Sequence, residues 1–195
     1  SQELVEADID LAAVAAAKLL YLEGYLWDPA APRRAMRAAM AAARAAGRQI
    51  AFTLSDAFCV ERHRGDFRSM IAGGEIDLLF ANAAEILSLA QTGDLDAAIA
   101  EVAPQVPLLI VTRSENGALA VTGGARTEVA ASPVAQLVDT TGAGALFAAG
   151  FLTGHAAGRG VEPSLRMGAI AAAEVISHYG ARPEADLREL VRELR

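Results

Sequence analysis

The residues best suited to chemistry lie in the run Asp139-Thr140-Thr141-Gly142-Ala143-Gly144-Ala145-Leu146-Phe147. An acid and two hydroxyls lead into Gly-Ala-Gly, and an apolar, helix-compatible segment follows through Phe151. Glycines let the backbone turn tightly and approach a ligand closely. A helix starting near Gly144 would aim its unpaired N–H groups and the positive end of its dipole at whatever lies there. That arrangement is an anion site, for phosphate or carboxylate. The same residues also read as a glycine-rich turn ahead of a buried helix, and by themselves they leave both readings open.

From Thr140 to Gly158 no residue is charged for nineteen positions, long enough to span a bilayer. Gly150 with Gly154, and Gly154 with Gly158, repeat the G-x-x-x-G spacing of membrane helix pairs. Yet five of the nineteen are glycine, and His155 and three threonines interrupt them. The segment is small rather than rich in leucine and isoleucine, so the expectation is no membrane span.

Alternating elements must position this run. Residues 3 to 16 read as a helix, Lys18 to Leu26 as a buried strand ending in a turn at Trp27-Asp28-Pro29, and Pro32 to Ala46 as a helix stopped by Gly47. Strands follow at Gln49 to Leu54, Glu75 to Ala81 and Pro107 to Thr112. Helices are expected at Arg62 to Ala72, from Asn82 onward and at Asp94 to Ala103. Asn82 and Glu85 have the spacing of a capping box. Gly117 to Val121 and Arg126 to Ala131 read as a hairpin around Gly123-Gly124. Two last helices are expected at Pro163 to Tyr179 and Glu184 to Leu194. Such alternation predicts one α/β domain over residues 1–195, with a mostly parallel, Rossmann-like sheet and helices on both faces. Ligands in such sheets bind beyond the carboxyl ends of the strands. The loops of interest are therefore Ser55-Asp56, Asn82 to Glu85, Thr112 to Gly117 and Asp139 to Ala145.

Composition narrows the function. The net charge of −7 and the absence of a basic stripe argue against nucleic acid as a partner. Arg62-His63-Arg64 with Arg68 is a short basic block broken by Glu61 and Asp66, as a solvated helix face would be. A single cysteine, Cys59, excludes an internal disulfide and fits a reducing cytoplasm. The start is acidic, without the basic region of a signal peptide. It lacks an initiator methionine, as a processed chain or a fragment would. Lys18 is the only lysine and follows no glycine loop, which excludes a P-loop kinase. Phe147 stands where a dehydrogenase G-x-G-x-x-G needs its third small residue, and no G-x-S-x-G occurs. His63, His155 and His178 lack zincin spacing, so a catalytic zinc site is not expected.

The pattern Asp-Thr-Thr-Gly-Ala-Gly-x-x-Phe-x-x-Gly-Phe resembles the signature of the ribokinase-like (PfkB-type) sugar and nucleoside kinases. The resemblance implies a ribokinase-like fold, ATP and Mg2+. It also implies phosphoryl transfer to a hydroxymethyl group of a small-molecule sugar or nucleoside. It assigns Gly142, Ala143 and Gly144 to the anion hole for the phosphoryl group. The next position, normally the aspartate that accepts the substrate proton, is Ala145 here. An alanine takes no proton, so this position reads either as a deliberate replacement of the base or as a natural non-catalytic relative. Asn82-Ala83-Ala84-Glu85 is similar to the family's N-x-x-E, implying a water-mediated hold on magnesium by Asn82 and Glu85, though capping alone explains the pair. Thr112, Arg113, Ser114 and Gly117 resemble its T-x-G-x-x-G nucleotide loop, with Ser114 at the middle glycine. Asp139 and Thr141 would match positions for a monovalent cation such as K+, or else act as helix caps. Gly168 and His178 would flank the adenine. Leu54-Ser55-Asp56, Thr112-Arg113-Ser114 and His178 to Arg182 together look like the adenosine-kinase branch.

The family's first strands, small β lid and sugar-holding Gly-Gly-Asn do not occur before Lys18. The chain thus resembles the carboxyl-terminal, nucleotide-binding part of such a kinase. A nucleotide-binding regulatory subunit and a structural fragment are the non-enzymatic alternatives. A bare sheet edge invites pairing, so the expected partner is a missing amino-terminal part or a second copy. Sedimentation at micromolar concentration should show association; a clean monomer would count against it.

Overall fold

The computed structural model describes residues 3–194. Six strands form one sheet in the order β1-β2-β3-β4-β5-β6. They are β1 (Leu19–Glu23), β2 (Gln49–Thr53), β3 (Leu78–Asn82), β4 (Leu108–Thr112), β5 (Ala118–Thr122) and β6 (Ala125–Val129). The sheet is mostly parallel and alternates with helices, an α/β fold of the expected class. Among the described residues all six strands belong to that sheet, and no helix is long and apolar enough to cross a membrane. Contacts group the chain into two compact units. One runs to Ile110 and includes Val121–Gly124; the other takes Val111–Ala120 and Ala125 onward.

The first unit carries α1 (Leu11–Ala16), α2 (Ala30–Ala45), α3 (Ala57–Ala72), α4 (Ala83–Ala90) and α5 (Leu95–Val102). In α2 the buried residues Pro32, Ala35, Met36, Ala39, Met40 and Ala43 recur at helical spacing, so one stripe faces the core. β3 is buried from Leu78 to Ala81, as a parallel strand covered on both faces must be. Trp27 closes the core. Its ring meets Phe52 and Phe67 edge-on, both with centroids at 5.9 Å, and its indole N–H donates to Asp66 at 3.0 Å. Arg37 lies over the ring at 5.0 Å.

Several expected boundaries shift, for local reasons. The expected helix over residues 3 to 16 is split, with α1 the only α-helical part. Asp8 accepts from the Val5 amide and Asp10 from the Ala13 amide, so these acids compete with a continuous helix. β1 stops at Glu23, because Gly24–Trp27 coil into a 3-10 turn that buries Trp27. β3 starts at Leu78 rather than Glu75; Glu75 is paired with Arg37, and the Asp77 carboxylate takes the Ile50 amide at 2.7 Å. α3 begins five residues before the expected Arg62, because Asp56 caps it through the Cys59 amide at 2.7 Å.

The second unit carries α6 (Ala143–Ala156), α7 (Val161–Val175) and α8 (Leu187–Leu190). α7 ends four residues before the expected Tyr179, where Ile176 turns its carbonyl to the Val138 amide at 2.9 Å. The last helix shrinks to α8, since the Glu184 and Ala185 amides donate instead to the Glu174 carboxylate, at 2.7 and 2.8 Å. The G-x-x-x-G spacing in α6 serves helix packing. A Cβ on Gly150 would lie 2.5 Å from the Met167 carbonyl oxygen, and one on Gly168 would lie 2.8 Å from that of Phe147. These two helices therefore touch backbone to backbone.

Gly150→Val should cost roughly 1–3 kcal/mol or more through overpacking, read by urea unfolding monitored by far-UV circular dichroism. Gly65→Ala, where an added Cβ meets nothing within 4 Å, is the control and should be neutral or mildly stabilising. Equal stability of Gly150→Val and the parent chain would refute the close packing.

Candidate functional site

In the second unit the Gly-Ala-Gly run opens α6. Gly142 is its N-cap, at φ 85° and ψ −4°. A side chain there would be strained, and its Cβ would meet Ala181 Cβ at 2.8 Å. The Ala143 amide closes a turn on the Thr140 carbonyl at 3.2 Å, and Leu146 makes the first intrahelical bond, to Gly142 at 2.8 Å. Gly144 and Ala145 lie in the first turn, where amides have no partner within the helix, and both residues are exposed. A Cβ on Gly144 would meet nothing within 4 Å. Free donors, the positive end of a helix dipole and open space thus coincide at Gly144 and Ala145.

Asp139 braces this turn. One carboxylate oxygen accepts from the Thr141 amide at 2.9 Å, the other from the Gly180 amide at 3.2 Å. The hydrogen bonds from Thr141 hold its pKa below the usual range. Both oxygens are engaged by amides, so the geometry gives Asp139 a bracing role in the loop. His178 lies near that loop, with its ring nitrogens 3.3 Å from the Tyr179 carbonyl and 3.3 Å from Glu174 Oε1. The Tyr179 carbonyl is the largest influence raising its pKa. Gly168, by contrast, is buried against Phe147, and helix packing accounts for its lack of a side chain.

The loop after β4 is a tight turn. Ser114 sits at φ 52°, a left-handed conformation that favours glycine. That conformation accords with the resemblance, which placed a glycine there. Gly117 is at φ 77°, ψ −142°, and a Cβ would come within 2.0 Å of the Val129 carbonyl oxygen, so no other residue fits. The Arg113 amide donates to the Gly117 carbonyl at 2.7 Å, and its guanidinium pairs with Glu128 at 2.8 Å. Arg113 Nε is buried without a hydrogen-bond partner. Thr112 ends β4, half-buried beside this turn.

In the first unit the carboxyl ends of β1, β2 and β3 gather oxygen donors. Asn82 caps α4 by accepting from the Glu85 amide at 2.9 Å, and Glu85 returns the bond by accepting from the Asn82 amide at 2.9 Å. The capping box is therefore complete. Glu85 is only 4% exposed, and burial lifts its carboxyl to about 7. Asp56 and Glu23 push it the same way. Glu23 is not among the residues that the sequence singles out, because it falls within the expected buried strand from Lys18 to Leu26. Its one signal is an acid at the end of that strand.

Asp28, Cys59 and His63 also lie together. Arg62 grips both Asp28 oxygens, at 2.9 and 2.8 Å, and His63 meets Asp28 at 2.7 Å. Burial pushes the Cys59 thiol up to about 11, so it is protonated at neutral pH. This cluster ties the turn after β1 to α3.

Residues 1–187 match the family model described as pfkB family carbohydrate kinase. The adenosine kinase structure from Sinorhizobium meliloti superposes with a TM-score of 0.96 at 44% identity, covering 100% of this chain and 59% of that one. A cytidine kinase from Thermococcus kodakarensis is 36% identical over 108 residues, 54% of this chain and 38% of the relative. A fructoselysine 6-kinase from Escherichia coli is 41% identical over 73 residues, 37% of this chain and 28% of the relative. The chain thus spans well under two thirds of the length of these relatives.

The raised Glu85 carboxyl fixes the sign of a pH effect. Between pH 4.5 and about 7 the folded chain keeps a proton that the unfolded chain has lost, so stability falls as pH rises through that window. The loss attributable to Glu85 is roughly 3 kcal/mol at most. Urea unfolding at pH 5 and 7.5 should show Glu85→Gln flattening this dependence; an unchanged slope would mean that Glu85 titrates normally.

Proposed function

The chain belongs to the pfkB family of carbohydrate kinases, and from that premise we propose that it is the nucleotide-binding part of an ATP-dependent kinase. The acceptor would be a hydroxymethyl group of a sugar or nucleoside, and turnover would be impaired in this chain by Ala145. The carrying observation is the start of α6, where Gly144 and Ala145 are exposed, their amides have no partner within the helix, and open space borders Gly144. The names of the relatives include both nucleoside and sugar kinases, so the acceptor class is drawn no more narrowly.

In this reading the Gly142–Gly144 turn, with the free amides of Gly144 and Ala145 at its end, stabilises charge on the phosphoryl group in flight. The turn from Thr112 to Gly117, with Arg113 and Ser114, borders the nucleotide; Gly168 supports that side by packing and His178 by holding the turn after α7. Asn82 and Glu85 would hold Mg2+ through water, and its charge would offset that of the phosphates. The donor set fits a hard cation: oxygen atoms only, with Glu85 buried and paired with no positive side chain among the described residues. Asp139 braces the anion turn whether or not K+ binds beside Thr141. The relatives' fold and the single buried cysteine are consistent with a cytoplasmic enzyme.

Phosphoryl transfer depends chiefly on positioning and electrostatics, with a general base adding about 10²- to 10⁴-fold. Ala145 removes the base and leaves the anion turn intact. It also removes a carboxylate that would repel the γ-phosphate. The second reading is a non-catalytic nucleotide-binding relative, and Ala145 is the observation that favours it.

Calorimetric titration of Mg-ATP into this chain and into Ala145→Asp should show saturable binding to both, tighter for the alanine form. Phosphoryl transfer to a panel of nucleosides and sugars, in chains extended to the relatives' length, should rise about 10²- to 10⁴-fold in Ala145→Asp. Binding to both with turnover in neither would favour the non-catalytic relative. Absence of binding would sink the proposal.

A further inference from the structure

Cys59 and His63 stand four residues apart on α3, so their side chains rise from one face on successive turns. Asp28 reaches that face from the turn after β1. The Cys59 sulfur, a His63 ring nitrogen and an Asp28 carboxylate oxygen all lie within 4.8 Å of one another. Gly24 permits the approach. A Cβ there would come within 2.8 Å of the Thr53 and Leu54 carbonyl oxygens, so the turn presses against the end of β2. The Cys59 thiol donates to the Gly24 carbonyl at 3.2 Å, which holds the sulfur against the turn.

Ion pairing accounts for only part of this cluster. Arg62 engages both Asp28 oxygens and neutralises the carboxylate without further help. His63 nevertheless meets Asp28 at 2.7 Å. α3 contains no proline, and its break in helical geometry falls on His63 itself, at φ −120° and ψ 17°. The donor atoms are one sulfur, one imidazole nitrogen and one carboxylate oxygen. That set suits Zn2+ and similar borderline ions, whereas Mg2+ prefers oxygen alone. Cys59 is wholly buried, the His63 side chain is 13% exposed and that of Asp28 is 40% exposed. Two ligands are thus held in the packed interior. The third faces solvent, where an ion can enter and a water can complete fourfold coordination.

We propose that Asp28, Cys59 and His63 form a site for a borderline divalent transition ion, Zn2+ foremost, which clamps the turn after β1 to α3. The site does not depend on the nucleotide reading. On binding, the thiol proton passes to solvent as the sulfur–zinc bond forms, and no electron is transferred. His63 keeps its proton on Nδ1 and offers Nε2. Its hydrogen bond to Asp28 opens, since ligand atoms around a tetrahedral zinc stand roughly 3.3–3.6 Å apart. Arg62 releases Asp28, and its half-exposed side chain has solvent to move into. Arg62 and the ion therefore compete for one carboxylate.

The test titrates Co2+, a spectroscopic probe for zinc sites, into the full chain under a reductant that is not a thiol, and then displaces it with Zn2+. One equivalent should bind, with a thiolate-to-cobalt charge-transfer band and the visible bands of a tetrahedral ion. Cys59→Ser should abolish the charge-transfer band. His63→Gln and Asp28→Asn should each weaken binding about 10-fold or more. Arg62→Ala removes the competitor and should tighten binding roughly 3- to 10-fold. Equimolar Zn2+ should raise the urea midpoint of the parent chain and leave that of Asp28→Asn nearly unchanged. Asp28 and Arg62 lie at the surface, so these two variants carry the test even if Cys59→Ser folds poorly. Binding without a thiolate band would put the ion elsewhere and overturn the proposal. A thiolate band whose affinity is the same in His63→Gln and Asp28→Asn would mean a cysteine acting alone, and weaker binding by Arg62→Ala would mean that Asp28 is no ligand; either result overturns the site.

Discussion

A carboxylate buried without a counter-charge is the constraint from which the first unit is best understood. Glu85 is almost wholly shielded from water, and an ionised group in that position is strongly disfavoured unless something offsets it. Its hydrogen bonds come from Asn82 alone, through a reciprocal cap that also starts α4. The cap fixes the side chain at the end of β3, and the strands beside it bring Glu23 and Asp56 to the same edge. A residue placed only to cap a helix could do so on the surface at lower cost. Burial beside two other acids fits a group whose compensation comes from a ligand.

The second unit solves the opposite problem. Its α6 presents the positive end of a helix dipole at its first turn, which under the proposed function must stay open for an anion. Asp139 does this by binding two backbone amides, one at Thr141 and one at Gly180, so the turn before the helix and the turn after α7 are locked together. The helices behind are locked by contact, because Gly150 and Gly168 let their backbones approach within side-chain distance. A rigid base of this kind keeps free N–H groups aimed outward instead of letting them collapse onto neighbouring carbonyls.

Ala145 separates two properties that usually travel together. The backbone at this position still belongs to the first turn of α6, so in the proposed function anion binding would rest on peptide groups that no side-chain change removes. Proton transfer rests on a side chain, and alanine has none to offer. A relative that binds nucleotide without turning it over and a kinase lacking its base are therefore structurally alike here, and they differ in what a restored carboxylate would do.

The sequence by itself determined the element types, the parallel α/β class and most of the candidate loops. Local chemistry sufficed for these: hydrophobic period, caps such as Asn82 with Glu85, and glycines where the chain turns. It also carried the family resemblance, because the Asp139-to-Phe151 run is contiguous. Only the tertiary structure decided where elements end, since acids such as Asp10 and Glu174 divert backbone amides through contacts that periodicity does not register. It also showed that Gly150 and Gly168 bring α6 and α7 backbone to backbone, and it set Glu23 beside Ser55. That last juxtaposition joins residues 32 apart, and it exists because parallel strands bring distant strand ends to one edge.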